Sequence, residues 1–166
     1  VAADRMTVAP FHRHPGTAGF HCGTQQLDDY LRTLAGQQHR KGIARVFLAE
    51  DADSHDLVGY DSMSSYLVQA ESLGQDGRRL PRLAPATLLG RLAVDVRWQG
   101  LGVGAELLTH ALARALDASR QVASLAVIVD TIDARAASFY EAHGFRRFAD
   151  EPGRLFLPMQ AIDGEV

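Results

Sequence analysis

Leu88–Leu108 reads "LLGRLAVDVRWQGLGVGAELL", and its interpretation decides the fold. An apolar run through Val94 predicts a buried strand. Three glycines, Gly100, Gly102 and Gly104, follow within five residues. A helical pattern begins at once, from about Gly102 to Ala118, with Val103, Leu107, Leu108, Ala111, Leu112, Ala115 and Leu116 on one face. Glycine costs conformational entropy, so three in alternation point to a need for bare backbone just before a helix. The first amides of a helix have no internal acceptor, and the helix dipole adds partial positive charge there. The guest this suggests is a phosphate group.

The flanking sequence extends the strand–turn–helix into a mixed sheet. Thr24 to Gln38 places Leu27, Leu31, Leu34 and Ala35 on one helical face, with Thr24 as its cap. "RVFLAED" and "DLVGYDSMSSYLVQAE" read as two strands joined by a turn over 51–56. A loop over 74–85 carries Arg78, Arg79 and Arg82. Ser124–Asp130, rich in β-branched residues, reads as a second buried strand. "DARAASFYEAHG" reads as a short helix capped by Asp133 and stopped by Gly144. "FRRFAD" and "RLFLPM" read as a closing antiparallel pair. The expected class is α/β (α+β), a mostly antiparallel sheet with one parallel strand–helix–strand crossover, in a single domain spanning 1–166.

Composition narrows the function. The 166 residues carry a formal net charge of −3, which argues against nucleic-acid binding by bulk charge and leaves local basic patches open. The first residues show no basic-then-apolar leader, no stretch is apolar enough to span a membrane, and a lone cysteine, Cys22, forms no internal disulfide. The expected location is the cytoplasm.

Several phosphate ligands compete for the turn. A nucleoside-triphosphate loop needs Gly-Lys-Ser/Thr, which is missing. Gly100-x-Gly102-x-x-Ala105 with Asp130 fits a degenerate dinucleotide fingerprint, but the sequence lacks a second set of strand–helix–strand units. The third candidate is the pyrophosphate of coenzyme A. The seven histidines, at 12, 14, 21, 39, 55, 110 and 143, show no recognised zinc spacing, and no metal site is expected.

Gln99-Gly100-Leu101-Gly102-Val103-Gly104 resembles the Q/R-x-x-G-x-G/A motif of the GNAT N-acetyltransferases. "LAVD" resembles that family's acetyl-CoA strand, and "ASFYEAHGF" its tyrosine-bearing helix. The resemblance implies acetyl-CoA as donor, held by Leu92, Ala93 and Val94 along the pantetheine arm and by Gln99, Gly100, Leu101, Gly102, Val103, Gly104 and Ala105 at the pyrophosphate. Asp133 stands where the family often has Asn. It implies Tyr140 as the acid that protonates the departing thiolate; a phenol keeps its proton at neutral pH. Without the motif, Tyr140 reads as core, packed with Phe139 and Phe145.

Phe20 to Met159 further resembles the acetyltransferase toxins of bacterial toxin–antitoxin pairs, which acetylate the amino acid carried on charged tRNA. That resemblance implies a ribbon–helix–helix antitoxin, a homodimer, and Arg40, Lys41, Arg45, Arg78, Arg82 and Arg91 as tRNA contacts. Asp61 departs from the toxins' Gly-Tyr-Tyr pattern and either tunes the acceptor or faces solvent. Two other readings stay open: an acetyltransferase for a small-molecule or protein amine, and a non-catalytic acyl-CoA-binding module.

Overall fold

The computed structural model describes residues 5–164. Seven strands form one sheet in the order β1-β2-β3-β4-β5-β7-β6. They are β1 (Met6–Pro10), β2 (Arg45–Asp51), β3 (Leu57–Gln69), β4 (Leu83–Val94), β5 (Ala126–Asp130), β6 (Arg146–Arg147) and β7 (Arg154–Pro158). The helices are α1 (Gln25–Thr33), α2 (Ala35–Lys41), α3 (Val103–Ser119), α4 (Ala134–Ala142) and α5 (Met159–Asp163). β4 and β5 pair in parallel, Thr87 to Val127 through Leu89 to Val129, and α3 is the crossover between them. This is the mixed α/β architecture read from the sequence, its parallel pair included.

The chain divides into two compact units, one built from Val1–Ser64 with Arg91–Ala111, the other from Ser65–Gly90 with Leu112–Val166. In the first, β2 and β3 are packed on both faces, while the edge strand β1 is mostly exposed. Phe20, Tyr30, Leu31, Val46, Leu48 and Tyr60 form one cluster; Met6, Ala49, Val58, Val103 and Leu107 form the other. Full burial of each such aliphatic side chain contributes about 2 kcal/mol. In the second, Val68, Leu73, Ala86, Ile128, Phe148 and Phe156 form the core. β7 pairs antiparallel with both β5 and β6.

Four local readings need correction. The helix expected over Thr24–Gln38 is two helices meeting at Leu34, whose φ of −119° breaks the first. Thr33 Oγ hydrogen-bonds back to the Asp29 carbonyl at 2.7 Å, a contact that competes with the helical ladder and bends it. Thr24 occupies the cap position, but its side chain caps nothing. The loop expected over 74–85 is shorter: Ala70–Gly77 is a kinked 3₁₀ segment with Gly74 at φ +60°, and β4 has begun by Leu83. β1 was not anticipated. It pairs along β2 from Met6–Asp51 to Pro10–Phe47, a long-range pairing that a five-residue segment does not announce.

Candidate active site

β4 ends at Val94, and Asp95 caps a single 3₁₀ turn, Val96–Trp98, by accepting from the Arg97 amide at 3.0 Å. Gly100 and Gly102 then adopt φ of +77° and +82°. A side chain at either would meet nothing within 4 Å, so it is the backbone angle, and not crowding, that requires glycine. Left-handed residues alternating with ordinary ones gather successive N–H groups into one concavity. Among the described residues, the amides of Leu101 to Ala105 donate to no carbonyl or side chain; the first bond at this end runs from Glu106 N to Gly102 O at 3.2 Å. The 17-residue α3 adds its dipole behind them. The fit to a diphosphate is a row of free donors at a helix N-terminus.

Leu92, Ala93 and Val94 close β4 beside this turn. Gly59 of β3 lies under Ala93 so tightly that a Cβ there would stand 2.6 Å from the Ala93 carbonyl oxygen. The Gln99 side chain turns back on the chain. Its amide nitrogen donates to the carbonyls of Cys22 and Val94 at 2.7 and 2.8 Å.

Asp95 is 1% exposed. Burial works against its charge, yet hydrogen bonds from Arg97 and His21 outweigh burial and hold the carboxyl below its ordinary range. Burial and the Asp28 carboxylate push the Cys22 thiol up to about 11, so it stays protonated at neutral pH and is a poor nucleophile.

In the second unit, α4 starts at Asp133, whose carboxylate accepts from Ala136 N at 2.8 Å. Tyr140 is buried, with Phe139 and Phe145 both at ring distances of 5.2 Å. Gly144, at φ +91°, follows the helix end. His143 donates from Nδ1 to the Phe139 carbonyl at 2.8 Å. Asp130, the ribose acid of the dinucleotide alternative, is instead bonded through both carboxylate oxygens to Arg154.

Among the described residues, the six predicted cations belong to those without an acid partner, as do Arg13, Arg79 and Arg135. Arg5, Arg32, Arg97, Arg120, Arg146, Arg147 and Arg154 each hold an acid. Among the described residues, Arg40, Lys41, Arg45, Arg78, Arg82 and Arg91 meet no carboxylate within ion-pair distance. Arg40 and Lys41 end α2, and Arg45 opens β2, donating to the His39 carbonyl at 2.8 Å. Arg78 and Arg82 are exposed in the second unit. Arg91 is half-buried, its guanidinium 3.5 Å from the Tyr30 ring centroid and Nη1 3.5 Å from Ser62 Oγ. Stacking on an aromatic face fixes an arginine while leaving donors for an anion. Asp61 is fully buried on β3, which removes the solvent-facing alternative. Sequence reasoning missed Tyr30, Asp28 and Asp95: Tyr30 and Asp95 are ordinary helix and turn residues until Arg91 and His21 meet them, and Asp28 looks like any first-turn acid until His21 and Cys22 fold back on it.

A strand that ends in a left-handed glycine turn, with free amides leading into a crossover helix, forms a cradle for a diphosphate-bearing ligand. The chain belongs to the GNAT acetyltransferase family: residues 42–147 match the acetyltransferase (GNAT) domain. It is 34% identical over 142 residues, 85% of this chain and 84% of the other, to the tRNA-acetylating toxin of Mycobacterium tuberculosis (strain ATCC 25618 / H37Rv). Two solved structures of another toxin, AtaT, share the fold at 26% identity. One, AtaT complexed with acetyl-methionyl-tRNAfMet, has a TM-score of 0.88 over 96% of this chain and 98% of that one. The other, a Tyr-to-Phe mutant of AtaT bound to the C-terminus of the antitoxin AtaR and acetyl-CoA, has a TM-score of 0.83 over 98% of each chain. The chain is an N-acetyltransferase, and the dinucleotide and binding-module readings fall away.

Proposed function

We propose that this chain is a toxin that transfers the acetyl group of acetyl-CoA to the amino group of the amino acid on charged tRNA, and so blocks translation. The observation that carries the donor is the row of acceptor-free amides from Leu101 to Ala105. The unpaired cations, with the likeness to a tRNA-acetylating toxin, support the acceptor.

In this reading the amides of Leu101 to Ala105 hold the diphosphate, and Leu92 to Val94 present strand edges to the amide-bearing pantetheine arm. Gln99 and Asp133 belong to the shell around the donor. The donor supplies the acetyl group as a thioester. The neutral amine adds to the carbonyl carbon, the carbon–sulfur bond breaks, and the nitrogen's proton passes through solvent to the Tyr140 phenolate as the amide forms, which restores the acid. Tyr140 donates the phenolic proton that the departing sulfur takes. A backbone amide near Val94 polarises the carbonyl. Arg40, Lys41 and Arg45 bind tRNA phosphates, as do Arg78 and Arg82, while Arg91 on its Tyr30 platform receives a phosphate near the acceptor end. The whole chain serves as one acetyltransferase domain, paired as a homodimer, acting in the cytoplasm and silenced by a ribbon–helix–helix antitoxin.

The test is acetyl transfer from labelled acetyl-CoA to a pool of charged tRNAs, beside uncharged tRNA, free amino acids and small amines. Label confined to charged tRNA is the expected result. Label on small amines alone leaves a small-molecule acetyltransferase.

A further inference from the structure

The glycine turn presents its donors well but has little to hold it. Two left-handed glycines offer no side chains for packing, so rigidity has to come from behind the turn. His21 and Cys22 lie there, and all four of their main-chain polar groups are engaged. His21 N donates to Asp95 Oδ2 at 3.2 Å. The His21 carbonyl accepts from Val96 N at 2.8 Å, and the Cys22 carbonyl accepts from Gln99 Nε2 at 2.7 Å. Cys22 N donates to Asp28 Oδ1 at 2.9 Å. The other Asp28 oxygen meets His21 Nδ1 at 3.1 Å. Three bonds fasten the dipeptide to the turn, and the fourth fastens it to α1.

We infer that His21–Cys22, clasped by Asp28, Asp95 and Gln99, is the positioning element of the donor turn. The clasp holds the free amides in register without itself touching the ligand. This rests on the acetyl-CoA reading above and refines it, because Gln99 becomes a positioning residue. Its amide donors already serve two carbonyls, and reaching a phosphate would break both bonds. Asp28 and Asp95 are each 1% exposed. Buried carboxylates are costly unless fully hydrogen-bonded, and here each organises main-chain or side-chain donors on both of its oxygens. The preorganisation raises affinity by removing an ordering cost from binding.

Three variants separate the possibilities: Gln99→Leu, Asp28→Asn and Gln99→Arg. Each is titrated by calorimetry with acetyl-CoA and with S-acetylpantetheine, which lacks the diphosphate. Trp98, the sole tryptophan, lies within the turn, and its emission reports turn conformation in the ligand-free protein. Gln99→Leu and Asp28→Asn are each expected to weaken acetyl-CoA binding about tenfold, the effect of losing roughly one well-made hydrogen bond. S-acetylpantetheine binding should hold, Trp98 emission should shift, and Gln99→Arg, which keeps donors for both carbonyls, should restore affinity. The double variant should lose less than the product of the singles, because both act through Cys22. If Asp28→Asn retains wild-type affinity and emission while Gln99→Leu does not, Gln99 is itself the ligand and the inference fails. Equal weakening of both donors would mean the clasp only holds the fold together. Wild-type protein that binds no acetyl-CoA overturns the donor reading itself, whatever the variants do.

Discussion

Gly102→Ala isolates the backbone requirement of the turn. At φ +82° with nothing within 4 Å of the new methyl group, the substitution creates no clash. Its cost is the left-handed penalty of an L-residue, about 1–2 kcal/mol. That energy has two outlets. If the turn keeps its shape, the folded state loses about 1–2 kcal/mol, a Tm decrease of roughly 2–8 °C for a chain of this size. If the turn relaxes to negative φ, the fold escapes the penalty, but the amides leave their concavity. Acetyl-CoA must then restore it on binding, and Kd rises by about 5- to 30-fold. The two losses, from denaturant unfolding and from calorimetry, should therefore sum to about 1–2 kcal/mol whichever outlet dominates. Gly102→Asn should show a smaller sum, since Asn enters the left-handed region more readily. An Ala variant with wild-type stability and wild-type affinity, or an Asn variant as impaired as Ala, would refute the argument.

Two further predictions concern the chemistry and the buried carboxylates. Tyr140→Phe should lower kcat about 10²- to 10⁴-fold, the usual contribution of a positioned acid, and leave acetyl-CoA affinity unchanged; full turnover would remove Tyr140 from the proton transfer. Asp95 has a folded-state pKa below its unfolded value, so its contribution to stability is present above the unfolded carboxylate pKa of about 4 and is lost as pH falls through the folded one. Unfolding measured from pH 6 down to 2 should show this loss, and Asp95→Asn should flatten it; parallel curves for variant and wild type would contradict the linkage.

Much of the site was legible along the chain because its determinants are local. A strand, a glycine turn and an amphipathic helix sit within the 21 residues from Leu88 to Leu108, and each is specified by neighbours a few positions away. The Asp133 cap and the Gly144 stop were legible for the same reason, as was the hairpin over Asp51–Asp56. Apolar runs at β4 and β5 separated by a helical pattern left a parallel crossover as the natural connection.

Tertiary structure decided what depends on partners distant in sequence. Gln99 reaches Cys22 across 77 positions, and His21 reaches Asp95 across 74; no periodicity encodes such a bond. Arg91 looked like any other strand cation until α1 brought Tyr30 under it. Asp61 left two readings open, tuning the acceptor or facing solvent, because a carboxylate in a strand carries no mark of burial; its full burial removes the second. The break at Leu34 falls inside a stretch whose hydrophobic spacing runs on, so spacing cannot register it. Spacing along the chain specifies which backbone forms; which polar groups lie unpaired and which are braced follows only once distant segments have met and excluded water.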